Sequence, residues 1–178
     1  MRLFLIMFVS VSLVCCSQKE HKNISILSVD STLVGHRSEV SNGIFLHFPK
    51  DFVVLEEYKS LLSDNMDVNQ SLIEVAGNID RNHFCFITKL SQEYTDSAII
   101  EELIKDIPDS NFKHGIFSNN GIAFNQVAIN HESRIIFSLW HRVEGDAIIK
   151  YDYILSLPVT EIEIKAVESS IGTITKIK

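Results

Sequence analysis

Glycine is scarce in this 178-residue chain, and its seven copies are dispersed. No Walker loop or Gly-x-Gly-x-x-Gly turn is present to cradle a phosphate, and no Gly-x-Ser-x-Gly elbow is present to raise a nucleophile. Kinase, dinucleotide-binding and hydrolase readings therefore lose their usual signatures. Basic charge is also short. Sixteen Lys+Arg against 23 Asp+Glu leave a net charge of −7, and without a local basic patch that field repels a nucleic-acid backbone. The apolar run that opens the chain, residues 3–16 with only Ser10 and Ser12 interrupting it, falls short of the roughly 20 residues a membrane-spanning helix needs. What remains is 46% hydrophobic and 22% charged, a composition that excludes a disordered or fibrous chain and fits a globular one.

Arg2 followed by that apolar run has the order of a secretory signal peptide, which is removed on export. A short buried helix with two core cysteines is the structural alternative, but nothing in the segment is polar enough to form a second, solvated helix face. The run ends in Leu13-Val14-Cys15-Cys16-Ser17, which resembles the lipobox of bacterial lipoproteins. The resemblance implies that Cys16 receives the diacylglycerol, with Leu13 in the aliphatic position and Cys15 in the small one, where Gly, Ala or Ser is usual. It also implies that residue 17, being Ser rather than Asp, directs the protein to the outer membrane. The polar stretch SQKEHKN after the anchor reads as a tether. The expected organisation is a signal peptide over 1–15, a lipid-bearing tether over 16–23 and one α+β domain over 24–178. The expected partners are the membrane, through the lipid, and a protein of the envelope, with no nucleic acid.

With Cys15 cleaved away and Cys16 blocked as a thioether, Cys85 alone remains, which excludes an intrachain disulfide. His83 and Cys85 lie two apart in the alternating run NHFCFIT and share a strand face, without a third group to orient them as a nucleophile pair. A buried strand cysteine is the expectation.

Hydrophobic spacing gives the rest of the map. Strands are expected within 24–34, then at 43–48 ended by Pro49, 71–78, 83–90, 112–117, 122–129, 134–141 and 147–156, with a short edge strand in 173–178. Val53-Val54 favours a strand start, whereas Leu55, Tyr58, Leu61 and Leu62 have helical spacing, so a short helix is placed over 55–62. Thr95-Asp96-Ser97 opens a helix whose stripe is Ile99, Ile100, Leu103, Ile104 and Ile107, closed by Pro108. Thr160 three residues before Glu163 has capping-box spacing and opens a second helix over 161–170, ended near Gly172. Short turns such as Asn119-Asn120-Gly121 make consecutive strands antiparallel. In the last long strand Ile149, Tyr151, Tyr153 and Leu155 share a face more apolar than that of Ile148, Lys150, Asp152 and Ile154, and that face is expected to receive the helices. The fold class is thus α+β, a curved antiparallel sheet with amphipathic helices packed on one side.

The strand FLHFP at 45–49, the helix after residues 84–90 and the closing YDYILSLP strand with its capped helix resemble the PsbP-like α/β/α sandwich over about residues 42–178. Phe52 stands where that family carries Trp. The likeness implies a binding or assembly role.

Seven histidines are scattered without metal-motif spacing. The one local group, His131, Glu132, His141 and Glu144, straddles a turn and is too spread along a tight hairpin to converge. No metal or cofactor is called for. Glu56-Glu57 and Glu101-Glu102 read as solvated helix faces. Trp140, His141 and Arg142, an aromatic beside cations, form the candidate ligand face, set against the alternative that Trp140 fills the core. The sequence thus points to a lipid-anchored, non-enzymatic binding or accessory module, with an envelope hydrolase assembled from distant residues as the rival.

Overall fold

The computed structural model describes residues 27–177; the expected signal peptide, the Cys16 anchor and the tether lie outside the described residues. Ten strands and three α-helices follow in the order β1 (Val34–Ser41), β2 (Ile44–Pro49), β3 (Val53–Val54), α1 (Glu56–Ser63), β4 (Gln70–Asn78), β5 (His83–Leu90), α2 (Asp96–Ile104), β6 (Phe112–Asn119), β7 (Ile122–His131), β8 (Arg134–Arg142), β9 (Ile148–Ser156), α3 (Glu161–Gly172) and β10 (Thr175–Lys176). The strands form a three-stranded sheet, β1-β2-β10, and a seven-stranded open sheet, β3-β4-β5-β9-β8-β7-β6. Every strand pair is antiparallel. The expected α+β antiparallel architecture is what the chain forms.

Two local expectations need correction. Of the strand expected within 24–34, residues 24–26 lie outside the described residues and 27–33 form no strand; the first described strand begins at Val34, the last residue of that range. Its sequence, VGHRSEVS, is too polar to announce itself because β1 is an edge strand with much of its surface in water. Helix α2 stops at Ile104, before Pro108, because Lys105 turns to an extended ψ and Asp106 takes a φ of +67°; Ile107 still packs with the helix stripe from outside the helix.

The helices do not pack on one side as expected but divide between the two faces of the large sheet, because consecutive strand residues point to opposite sides and both sides carry apolar positions. On one face Cys85 and Ile87 of β5, Leu139 of β8 and Ile149, Tyr151, Tyr153 and Leu155 of β9 pack against Leu46 and Phe48 of β2 and against Val167 and Ile171 of α3. On the other, Leu90, Val127, Trp140 and Ile148 pack against Ile99 of α2, while Tyr58 of α1 lies against Phe84, 6.2 Å between ring centres. The small sheet, rather than a helix, supplies much of the cover for the more apolar face.

Local chemistry fixes the ends. Thr160 caps α3 in a complete capping box: its hydroxyl accepts from the Glu163 N–H, and the Glu163 carboxylate accepts from the Thr160 N–H at 2.7 Å. Thr95 caps α2 by accepting from the Ala98 N–H. Asn120 and Gly121, at φ +50° and +77°, make the tight β6–β7 hairpin. Gly77 is required by close approach, since a Cβ there would sit 2.6 Å from the His83 carbonyl oxygen.

Candidate functional site

Trp140, His141 and Arg142 do not form one face. They are consecutive on β8, so their side chains alternate across the sheet. Trp140 is fully buried under α2, and its indole N–H donates to Asp96 Oδ1 at 3.0 Å. Arg142, on the same side at the strand's exposed end, donates to the carbonyls of Asp146 (3.2 Å) and Tyr94 (3.3 Å) and lies 3.8 Å from Asp96 Oδ1. These two residues fasten the start of α2 to the sheet. His141 points the other way into the core, edge-on to Phe124 and stacked on Tyr151. Its Nδ1 is 3.2 Å from the Arg142 carbonyl oxygen and its Nε2 is 3.1 Å from the Tyr151 hydroxyl. A carbonyl can only accept, so Nδ1 carries the proton and, in the neutral ring, Nε2 accepts from Tyr151. Burial pulls the His141 pKa down, outweighing the upward pull of the Arg142 carbonyl. The candidate ligand face is therefore replaced by two structural contacts on opposite sides of the sheet.

Cys85 is a fully buried free thiol, and burial pushes its pKa well up. That is the expected strand cysteine, not a nucleophile. Burial also raises Tyr153, whose hydroxyl donates to Ser170 Oγ at 2.8 Å, while Ser170 donates to the His47 carbonyl; this chain sews α3 to both sheets. His131 sits at the β7–β8 turn opposite Arg134, and Glu144 pairs with Lys176 at 3.0 Å. Among the described residues no three of His, Cys, Asp and Glu gather where they could hold a metal ion.

The site the structure does build lies on the less apolar face, where the large sheet runs between α1 and α2. There a partly open cleft of about 340 Å³ is floored by Phe86 and Thr88 of β5 and Lys150 and Asp152 of β9. In the antiparallel register Thr88 stands opposite Lys150 and Phe86 opposite Asp152, so the four form a square on one face. Leu62 and Met66 form one wall, and Ile99 and Glu102 of α2 form the other. At one end Gln70 donates to the Tyr94 hydroxyl at 2.7 Å.

Lys150 Nζ and Asp152 Oδ2 are 2.9 Å apart with side chains only 19% and 17% exposed. Two charges are thus held mostly out of water on a central strand, an arrangement whose desolvation cost offsets much of its attraction. Asp152 Oδ1 is buried without a hydrogen-bond partner among the described residues, as is Ser138 Oγ opposite it on β8. A buried acceptor left unpaired costs about 1–3 kcal/mol, so the fold keeps this acid at some expense. Chemically the floor offers a donor and an acceptor side by side under apolar walls.

Comparison with known protein families and with curated proteins finds no match to this chain.

Proposed function

We propose that the protein is a lipid-anchored binding module of a bacterial envelope, held to the outer membrane through acylated Cys16 and using the α1–α2 cleft as its ligand seat. The observation that carries the binding role is the Lys150–Asp152 pair, sequestered at 2.9 Å on the floor of an apolar-walled cleft, since ligand sites combine apolar lining with a few placed polar groups. The cleft volume of about 340 Å³ is at the small end of small-molecule sites. The anchor rests on the lipobox likeness at residues 13–16, which would hold a water-soluble body at a bilayer without a spanning segment. No helix among the described residues is long and apolar enough to cross a membrane.

Two measurements test the parts separately. Cys16→Ala should move the protein from the membrane to the soluble fraction and abolish metabolic fatty-acid labelling; full membrane retention without label in the unsubstituted protein rejects the anchor. Thr88→Trp, which fills the cleft from its floor, should abolish ligand capture while the protein stays folded; unchanged capture rejects the cleft as the seat.

A further inference from the structure

We infer that the ligand of the α1–α2 cleft is a small neutral amphiphile whose polar end is an amide, with its carbonyl on Lys150 and its N–H on Asp152 and its apolar part against Phe86, Leu62 and Met66. The inference rests on the cleft being the ligand seat. Its first support is complementarity at the floor. Lys150 has three ammonium hydrogens and spends one on Asp152 Oδ2 at 2.9 Å, and that oxygen has a further lone pair. A donor and an acceptor this close match a group that carries an acceptor and a donor side by side on neighbouring atoms, as a primary carboxamide does with its carbonyl oxygen and the N–H syn to it; a carboxylate has no donor, and a hydroxyl or amine must serve both partners from one atom. Both side chains line the cleft and both retain some exposure, so a ligand can reach them.

The second support is charge. The lining holds one cation, Lys150, against two carboxylates, Asp152 and Glu102, in a chain of net charge −7. An anionic head would meet two like charges, and a cationic head would have to compete with Lys150 for Asp152 at the floor, whereas a neutral head leaves that pair intact. The third support is the wall chemistry. Leu62, Met66, Leu72, Phe86, Leu90 and Ile99 all line the cleft, which gives a short acyl or alkyl part apolar carbon to lie against.

The full chain in lipid nanodiscs, with isotope-labelled Leu, Ile and Met methyls, can be titrated with four probes of equal chain length: N-hexanoylglycinamide, hexanoate, hexylamine and hexyl glucoside. The expected result is saturable shifts of the Leu62, Met66 and Ile99 methyls by the amide, with at least tenfold weaker binding of the other three. Lys150→Met, with an otherwise unchanged methyl spectrum, should weaken the amide tenfold or more. Because the probe series is run on the unsubstituted protein, a variant that misfolds does not blunt the test. Equal binding of all four probes, or tightest binding of any charged probe or of the glucoside, overturns the amide head while leaving the cleft as a seat. No saturable shift of the three methyls by any probe overturns both readings together.

Discussion

The two faces of β9 use the same backbone for opposite ends. On one side Ile149, Tyr151, Tyr153 and Leu155 are all buried in the core shared with β2 and α3. On the other, one residue along at each step, Lys150 and Asp152 sit in a cleft with their charges in place. The covering helices differ in the same sense. Helix α3 has a full capping box and buries Val167, Ser169, Ser170, Ile171 and Gly172. Helix α1 has no side-chain cap and buries no residue; Leu61 on it is 67% exposed, and Val68 just beyond is 99% exposed. One face carries the larger core; on the other, α2 covers a smaller core around Trp140 and Ile148, and the part of the sheet beside α1 is left to carry a site.

The strongest way to break that contrast is to delete equal apolar bulk from each face. Leu46→Ala, in the fully buried core under β2, should lower unfolding free energy by about 2–5 kcal/mol through lost burial and the cavity left behind. Leu61→Ala, on α1, should stay within about 0.5 kcal/mol of the unsubstituted protein. Urea denaturation of the two variants measures both. Comparable losses would mean that α1 is as deeply built into the domain as β2 is.

A second test uses pH, because the core face holds His141, whose burial opposes its charge. The folded pKa of His141 is depressed, so below about pH 6.5 the unfolded chain takes up its proton first. The stabilisation from neutral His141 is therefore complete above that pH and is lost as the pH falls through the folded pKa. The urea midpoint should drop between pH 7.5 and pH 5, and the drop should be smaller in His141→Gln. The depressed carboxyl of Glu163, where hydrogen bonds from Thr160 and Arg81 outweigh the upward effect of burial, acts in a lower window, below the ordinary carboxylate range. Equal slopes for the unsubstituted protein and His141→Gln would remove the imidazole as the cause.

The same division explains what could be read from the sequence. Features set by neighbours along the chain were legible: the Thr160–Glu163 box, the Asn120-Gly121 hairpin and the β4 to β9 strands, which need only local spacing or turn chemistry. Strand β1 was missed because an edge position removes the apolar alternation that marks a strand. Trp140, His141 and Arg142 were grouped by adjacency along the chain, whereas a strand separates adjacent side chains. The cleft had a visible trace, two opposite charges alternating with Ile148 and Ile154 on one face of a long strand. Its meaning depended on β5 and β8 flanking β9 and on α1 and α2 standing apart above it. Those are non-local pairings, which periodicity does not specify.

The smallest expected change in stability is the sharpest test of the contrast, because it comes from removing the most polar part of the interior. Lys150→Met alone leaves Asp152 mostly buried without its partner and should destabilise the domain. Adding Asp152→Leu removes the remaining charge and the unpartnered Oδ1, and replacing a desolvated pair by apolar groups of similar size is commonly neutral or stabilising. The double variant should therefore unfold at or above the urea midpoint of the unsubstituted protein, and above Lys150→Met, while losing response to N-hexanoylglycinamide. If the double variant instead falls by more than about 2 kcal/mol, into the range of a core deletion, the ion pair holds the sheet together, and the cleft face is part of the stabilising structure after all.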